Sequence, residues 1–491
     1  MSTTNTLAGL ADHFRIRHLI ASYDSDLYLN LAYVLYKDPL SDDPVWQKLR
    51  NIYHIKNRRQ IHNDYLLNSI RQINITNLRG LNIATFEIKY FVESCTGLET
   101  LDYDQKYNIN ITRLTQLKSL TISDPTGQIN MLGKLTNLRK LGILGYFNQP
   151  IDALSSLINL THLSLSGHFN QPIYALSSLI NLTHLSLYGH FNQPIDALSG
   201  LTNLTELSFG CSFNQPIDTL SGLTNLTNLS FGYYFNQPID ALSGLTNLTK
   251  LNFGSNFNQP IDATRGLFNL TNISFGCFFN QPIDAIRGLF NLTTISFGHC
   301  FNQPIDAVRD LFNLTKLNFS SNFNQPIDAV RDLFNLTKLN FGSNFNQPID
   351  ALGKLVYLTK LEFDHKFNQP IDALSNLTNL TKLSFDIDFN QPIDALSNLT
   401  NLTELRFGYC FDQPIDGLSG LIKLTELSFG HYFNQPIGGL NKLTNLEILK
   451  FGEYFNQPII LPKLKKLRYL NIRTNYKNTI NISSGEVRRY K

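Results

Sequence analysis

The chain has 491 residues, 42% of them hydrophobic and 16% charged, which excludes a disordered chain and supplies ample material for a buried core. Its formal net charge of +3 is too near balance for a general polyanion binder, so no nucleic-acid partner is expected. Cys95, Cys211, Cys277, Cys300 and Cys410 form no CxxC pair and read as free thiols of a reducing compartment, with disulfides as the alternative.

The first residues, MSTTNTLAGLADHFRIRH, lack the apolar stretch of a secretory signal, and no run of 18 apolar residues occurs further along. An intracellular protein is expected, neither secreted nor membrane-spanning. Residues 1–66 carry the single tryptophan, in DDPVWQKLRNIYHIKNRRQIH. Trp46, Leu49, Ile52 and Tyr53 share one helical face, with Lys48, Arg50, Lys56, Arg58 and Arg59 elsewhere, and Pro44 after Asp42-Asp43 suits a helix start. The first reading is a helical N-terminal cap over the apolar edge of the first repeat. The stretch IRHLIASYDSDLYLNLAYVLYKDPLSDDPVWQKL also resembles the F-box family, although without its opening Leu-Pro. That resemblance implies docking to a ubiquitin-ligase linker subunit, with the rest of the chain selecting the target. A basic amphipathic helix on a membrane surface is the third reading.

Residues 67–134 hold irregular first repeats. Leu67, Ile70, Ile73 and Ile75 can make a first rung; Leu98, Leu101 and Tyr103 come next, then Leu114, Leu117, Leu120 and Ile122. From 135 to 463 the repetition is strict. FNQP returns every 22 residues from Phe147 to Phe455 in fifteen copies, with FDQP at Phe411 the one variant. Taking the first leucine of each unit as position 1 (Leu135, Leu157 and onward to Leu443), the unit 201–222 is apolar at Leu201, Leu204, Leu207, Phe209, Phe213, Ile217 and Leu220. The step of two between Leu207 and Phe209 is strand-like, and 22 residues leave room for one short strand, a turn and a return segment. One unit cannot bury its own apolar face, so neighbours must stack. Positions 9 and 13 together hold 27 of the 35 phenylalanines, which explains the aromatic content without a cofactor site. Leu464, Leu467, Leu470, Ile472 and Asn475 make a terminal repeat, and with the tail SSGEVRRYK, polar as a terminal cap should be, they account for residues 464–491.

The pattern LxxLxxLxF followed by a turn resembles the leucine-rich-repeat family in its short, helix-poor form, and FNQP resembles the FNIP-type repeats of social amoebae and of giant viruses that infect amoebae. The implied fold is an α/β repeat solenoid. It is a leucine-rich-repeat arc with one parallel strand per 22-residue unit on the concave face, and short turns or helical segments on the convex face. The family usually carries Asn or Cys at position 12; here position 12 varies and the near-constant Asn stands at position 14. Asn bonds backbone groups in tight turns, so Asn148, Asn170, Asn192, Asn214, Asn236, Asn258, Asn280, Asn302, Asn324, Asn346, Asn368, Asn390, Asn434 and Asn456 are expected to form a structural ladder. Gln at position 15 is expected to face solvent, and Asp at position 18, present in twelve units, to cap the return turn.

Catalytic residues are not expected: no Ser/His/Asp set, phosphate-cradling glycine loop or paired-carboxylate pocket stands out. No cofactor is expected either. His162 with His184, and His168 with His190, share positions in adjacent units, but a third ligand is missing and duplication explains the pairing, so no metal is assigned. Eleven in-register NLT triplets match a glycosylation acceptor, yet their leucine is core, which makes them scaffold.

Variation concentrates at positions 6, 8, 10, 11 and 12, which should face outward. Position 6 reads Lys316, Lys338, Lys360 and Lys382, then Glu404 and Glu426, while Tyr409, Tyr432 and Tyr454 lie at positions 11 and 12. Charge and tyrosine on an open surface suit a protein partner of unknown identity, bound by a monomeric, non-enzymatic scaffold. Drift is the competing explanation, since 301–329 and 323–351 differ only at Ser320 against Gly342.

Overall fold

The step of three between leucines and the step of two after it become two different backbones. In the computed structural model, which describes residues 72–74, 92–93, 96–104, 109–125 and 129–490, every regular unit but the last alternates a short 3-10 helix with a short parallel strand. In the turn before the strand at 206–209, Leu198, Leu201 and Leu204 donate in succession to Ile195, Leu198 and Leu201 at 2.9, 2.9 and 3.0 Å. Those bonds have the three-residue period of a 3-10 helix, whose side chains eclipse at i and i+3. All three leucines therefore enter the core, each with no exposed surface. The strand then switches to period two, burying Leu207 and Phe209 and leaving Glu206 and Ser208 outside.

The chain divides after Phe213 into two compact units. The first contains β1 (Gln72–Asn74), β2 (Thr100–Asp104), β3 (Ser119–Ser123), β4 (Lys140–Leu144), β5 (His162–Leu165), β6 (His184–Leu187) and β7 (Glu206–Phe209). Each pairs in parallel with the next, and from β4 onward the partners stand one 22-residue repeat apart. The second begins with β8 (Asn228–Ser230), β9 (Lys250–Asn252), β10 (Asn272–Ser274), β11 (Thr294–Ser296), β12 (Lys316–Asn318) and β13 (Lys338–Asn340). It continues with β14 (Lys360–Phe363), β15 (Lys382–Phe385), β16 (Glu404–Arg406), β17 (Glu426–Ser428) and β18 (Ile448–Lys450). These also form a parallel ladder, one rung per repeat. The last turn is replaced by a strand, β19 (Ile459–Leu461), followed by β20 (Tyr469–Arg473), β21 (Ile480–Ile482) and β22 (Glu486–Tyr490). β19 pairs with β21, apart from the main ladder, while β20 joins β18.

The polar tail is more than a cap of loop. β22 pairs in parallel with β20 and adds a rung. Gly485, at φ +108°, makes the reversal; a Cβ there would lie 2.7 Å from the Leu467 carbonyl. The strand's exposed side chains close the ladder with polar groups: Arg488 lies 3.7 Å over the Tyr469 ring, and the Tyr490 hydroxyl donates to the Phe451 carbonyl.

Between strand and FNQP turn the rungs approach so closely that only glycine fits at many copies of position 10. A Cβ on Gly298 would meet the Gly276 carbonyl oxygen at 1.8 Å. Two consecutive rungs, with Asp364 and Asp386, depart from this rule; there the strand runs one residue further and Asp386 donates its backbone N–H to Phe363 at 3.1 Å. Residues 1–66, on which the cap, F-box and membrane-surface readings fall, lie outside the described residues. Among the described residues no helix is long and apolar enough to cross a membrane.

Candidate recognition surface

The FNQP turn is a bonded column. The Oδ1 of Asn148 accepts from the backbone N–H of Asn170 at 2.9 Å, and Asn170 does the same for Asn192. In the second unit the chain of bonds runs from Asn214 through Asn236, Asn258, Asn280, Asn302, Asn324, Asn346 and Asn368 to Asn390 at 2.8–3.0 Å. Asp412 takes its place without interruption, accepting from Asn434, whose Oδ1 serves Asn456. An aspartate suffices because the column uses the side chain only as an acceptor. Glutamine at position 15 does not face solvent freely. Gln303 Nε2 donates to the Asn280 carbonyl at 3.0 Å and to its Oδ1 at 3.3 Å, and Gln325 repeats this on Asn302. Its length lets it reach back across one rung. Behind the turn, Phe301 stacks on Phe279 and Phe323 at 6.1 Å and on Phe297 of its own rung at 3.9 Å.

Two further columns are not apparent from the repeat pattern alone. Asparagine at position 3 donates Nδ2 to a carbonyl of the preceding rung, as Asn203 does to Ile180 and Asn313 to Phe290, both at 2.9 Å. Threonine at position 5 donates its hydroxyl likewise, Thr183 to Thr161 and Thr315 to Thr293. In-register NLT triplets such as 203–205 and 313–315 combine these two columns around a buried leucine, and the nitrogen that glycosylation would use is engaged there. The two columns line a groove of about 860 Å³ from Thr271 to Asn379. Beside it at position 2, Phe268, Phe290, Phe312 and Phe334 are exposed; four aromatics at one repeat position was the available signal.

Aspartate at position 18 does not cap. Isoleucine occupies the cap position before each of these turns, without a side-chain cap bond, and the aspartate is the first helical residue. Asp262–Arg265, Asp306–Arg309 and Asp328–Arg331 pair along the turn at 2.9, 3.3 and 3.1 Å.

Lys316, Lys338, Lys360 and Lys382 stand directly opposite one another on β12 to β15, followed by Glu404 and Glu426 on β16 and β17. The row is partly neutralised from within. Lys360 pairs with Glu362 at 2.9 Å and Lys382 with Glu404 at 2.8 Å; Arg406 reaches both Glu404 and Glu426, and Lys450 holds Glu426 at 2.7 Å. The Lys382 hydrogen bond, and then Arg406, hold the Glu404 carboxyl below its usual range despite partial burial. Among the described residues Lys316 and Lys338 have no ion-pair partner.

Tyr409, Tyr432 and Tyr454 come together with His431, which carries no signal of its own in the repeat pattern. Tyr409 stacks on His431 at 4.3 Å and meets Tyr432 edge-on at 5.0 Å, and Tyr432 stacks on Tyr454 at 5.3 Å. The three tyrosines are 42–55% exposed, so the cluster presents apolar area and hydroxyls together. Glu453 anchors it, pairing with His431 at 3.2 Å and with Arg473.

No protein-family model matches the chain, and no curated protein matches it. Among solved structures, a leucine-rich-repeat protein of Leptospira interrogans superposes with a TM-score of 0.52 at 18% identity, over 88% of this chain and 94% of that one. A TDR receptor gives 0.55 at 18% identity, over 86% and 76%. Toll from Drosophila, in its complex with Spätzle, gives 0.59 at 17% identity, over 76% and 58%. The fold is a leucine-rich-repeat solenoid.

His162 and His184 stack face to face at 4.1 Å, each Nδ1 beside the hydroxyl of the preceding threonine. Burial, then His184 and Lys140, push the His162 pKa below its ordinary 6.5. His168 and His190 lie 4.8 Å apart, tilted by 30°. Cys211, Cys277, Cys300 and Cys410 are free thiols.

Proposed function

We propose that this chain is a non-enzymatic, monomeric scaffold that binds a protein partner inside the cell, through the solvent face of the second unit's sheet and the tyrosine-bearing turns beside it. Its repeats are the FNQP counterpart of FNIP-type repeats. The observation that carries the reading is the exposed cluster of Tyr409, His431, Tyr432 and Tyr454 on three consecutive rungs. Tyrosines held by their neighbours lose little side-chain freedom on binding, and they offer both apolar area and a hydrogen-bonding tip. The unpaired Lys316 and Lys338 add a charge that favours an acidic segment of the partner. The experiment replaces Tyr432 with a photo-crosslinking phenylalanine derivative in the full chain and irradiates it in amoebal lysate. Tyr174, 72% exposed in the first unit, is the control position. A discrete adduct from position 432 alone, lost in Tyr454→Ala, is expected. Identical adducts from both positions, or none, would refute this surface as the site.

A further inference from the structure

The departure from glycine at position 10 creates a cluster with donor chemistry. Asp364 and Asp386 occupy that position on the consecutive rungs of β14 and β15, and His365 follows the first of them. His365 Nδ1 lies 2.5 Å from Asp364 Oδ1 and 3.4 Å from Asp386 Oδ2. The three donor atoms are all within 4.8 Å of one another. Among the described residues this is the one group of three or more His, Cys, Asp or Glu side chains so placed. Ser343, one rung earlier, donates its hydroxyl to the other Asp364 oxygen at 2.6 Å and so orients the carboxylate from behind. Both aspartates line a groove of about 540 Å³ that also holds Glu362 and Arg406.

We propose that Asp364, His365 and Asp386 bind a divalent first-row transition-metal ion. One imidazole and two carboxylates are a mixed nitrogen and oxygen set suited to Zn²⁺, Mn²⁺, Fe²⁺ or Co²⁺. Bonds of ~2.0–2.2 Å set two donors of one ion roughly 3–3.5 Å apart, so Asp386 Oδ2 already stands at that distance from His365 Nδ1, while the shorter His365–Asp364 contact would give up its shared proton and open slightly. Three protein donors leave at least one position for water or for a donor of a bound partner. Nine regular units keep glycine at position 10, and no other regular unit has aspartate there, so neither the rung contact nor the repeat itself accounts for the two aspartates.

The test titrates the full chain, its cysteines first alkylated, with CoCl₂, following the visible d–d bands and the heat released. One saturable site with a nitrogen/oxygen spectrum is expected, and Zn²⁺ should displace the cobalt. His365→Ala and Asp386→Asn should each abolish uptake. Ser343→Ala, which removes a positioning residue, should weaken uptake ~10- to 100-fold. Asp388→Asn, whose carboxylate pairs with Lys366 at 3.6 Å outside the set, should leave uptake unchanged. Circular dichroism checks each fold; the substituted side chains at 365 and 386 are about half exposed, so folding is expected to survive. No saturable uptake by the parent chain, or uptake undiminished in the folded His365→Ala and Asp386→Asn variants, would overturn the proposal and leave an ion-paired triad.

Discussion

Replacing Asn302 by alanine removes the acceptor of one backbone donor. The Asn324 N–H, part-buried and 2.9 Å from Asn302 Oδ1, would lose its partner, whereas Gln325 would keep the Asn302 carbonyl at 3.1 Å. The penalty therefore centres on a single stranded donor, about 1–3 kcal/mol. Asn302→Asp keeps the acceptor and should cost far less, as Asp412 already does at the same position. Gln303→Ala takes a side-chain donor from the Asn280 carbonyl but leaves every backbone donor paired, since Asn280 Oδ1 retains the Asn302 N–H; about 0.5–1.5 kcal/mol is expected. A long repeat array need not unfold in two states, so the assay is native-state hydrogen exchange at the Asn324 amide, with calorimetry beside it. Exchange there should accelerate ~5- to 150-fold in Asn302→Ala, the same 1–3 kcal/mol written as a ratio. It should change little in Asn302→Asp. Unchanged protection in the alanine variant, or equal acceleration in both, would refute the ladder as the source of order in the turn.

Three other measurements bear on the same structure. Phe301→Ala empties a site with no exposed surface in the stacked column, and should cost ~3–5 kcal/mol and introduce an early transition on urea unfolding; a loss below ~1 kcal/mol would contradict the packing. His162 has its folded pKa below the ordinary 6.5, so the folded state binds the proton less well, and stability should fall as pH drops from 6.5 through the folded value. Thermal melts at a series of pH values should show that slope in the parent chain and a shallower one in His162→Asn; identical slopes would rule His162 out. Lys316→Glu with Lys338→Glu, on solvated side chains, should leave stability within about 0.5 kcal/mol while slowing partner association and weakening its salt dependence, and unaltered capture would remove the lysine row from the site.

The strand and turn were legible because period two at Leu207 and Phe209, and period three across Leu198, Leu201 and Leu204, are properties of one unit. What was misread or missed depends on the neighbouring unit. Gln303 reads as solvated until Asn280 is set one rung behind it, and Asn313 reads as a polar surface residue until Phe290 offers a carbonyl. Asp at position 18 had the composition of a cap but stands one residue too late for one. SSGEVRRYK lacks the leucine spacing entirely, yet β22 pairs with β20 because a parallel edge accepts any backbone that can reach it. Asp364 and Asp386 are 22 residues apart and meet only through the register of β14 with β15. Even the lysine row, visible in sequence, did not reveal that Lys360 and Lys382 are neutralised by Glu362 and Glu404.

That last contrast separates two kinds of column. Asn at positions 3 and 14, Thr at 5 and Phe at 13 bond or stack against the neighbouring units, so changing one unit disturbs the contact on each side of it. Such columns are held constant by the fold alone and carry no information about a ligand. Positions 6, 8, 11 and 12 contact solvent and are free to diverge, and at 6 and 8 the new residues act on charge. Glu362, Glu404 and Arg406 each answer a neighbouring ion. Lys316 and Lys338 belong to the two nearly identical units and have acquired no such answer. Two adjacent ammonium groups at rung spacing repel by about 1 kcal/mol if fully solvated, a cost that any single acidic neighbour would remove. An acidic segment of a bound protein would remove it too, so relief of this repulsion, seen as a rise in stability of the free Lys338→Glu variant together with a loss of binding, is the pairing of results that a recognition role requires and that drift does not.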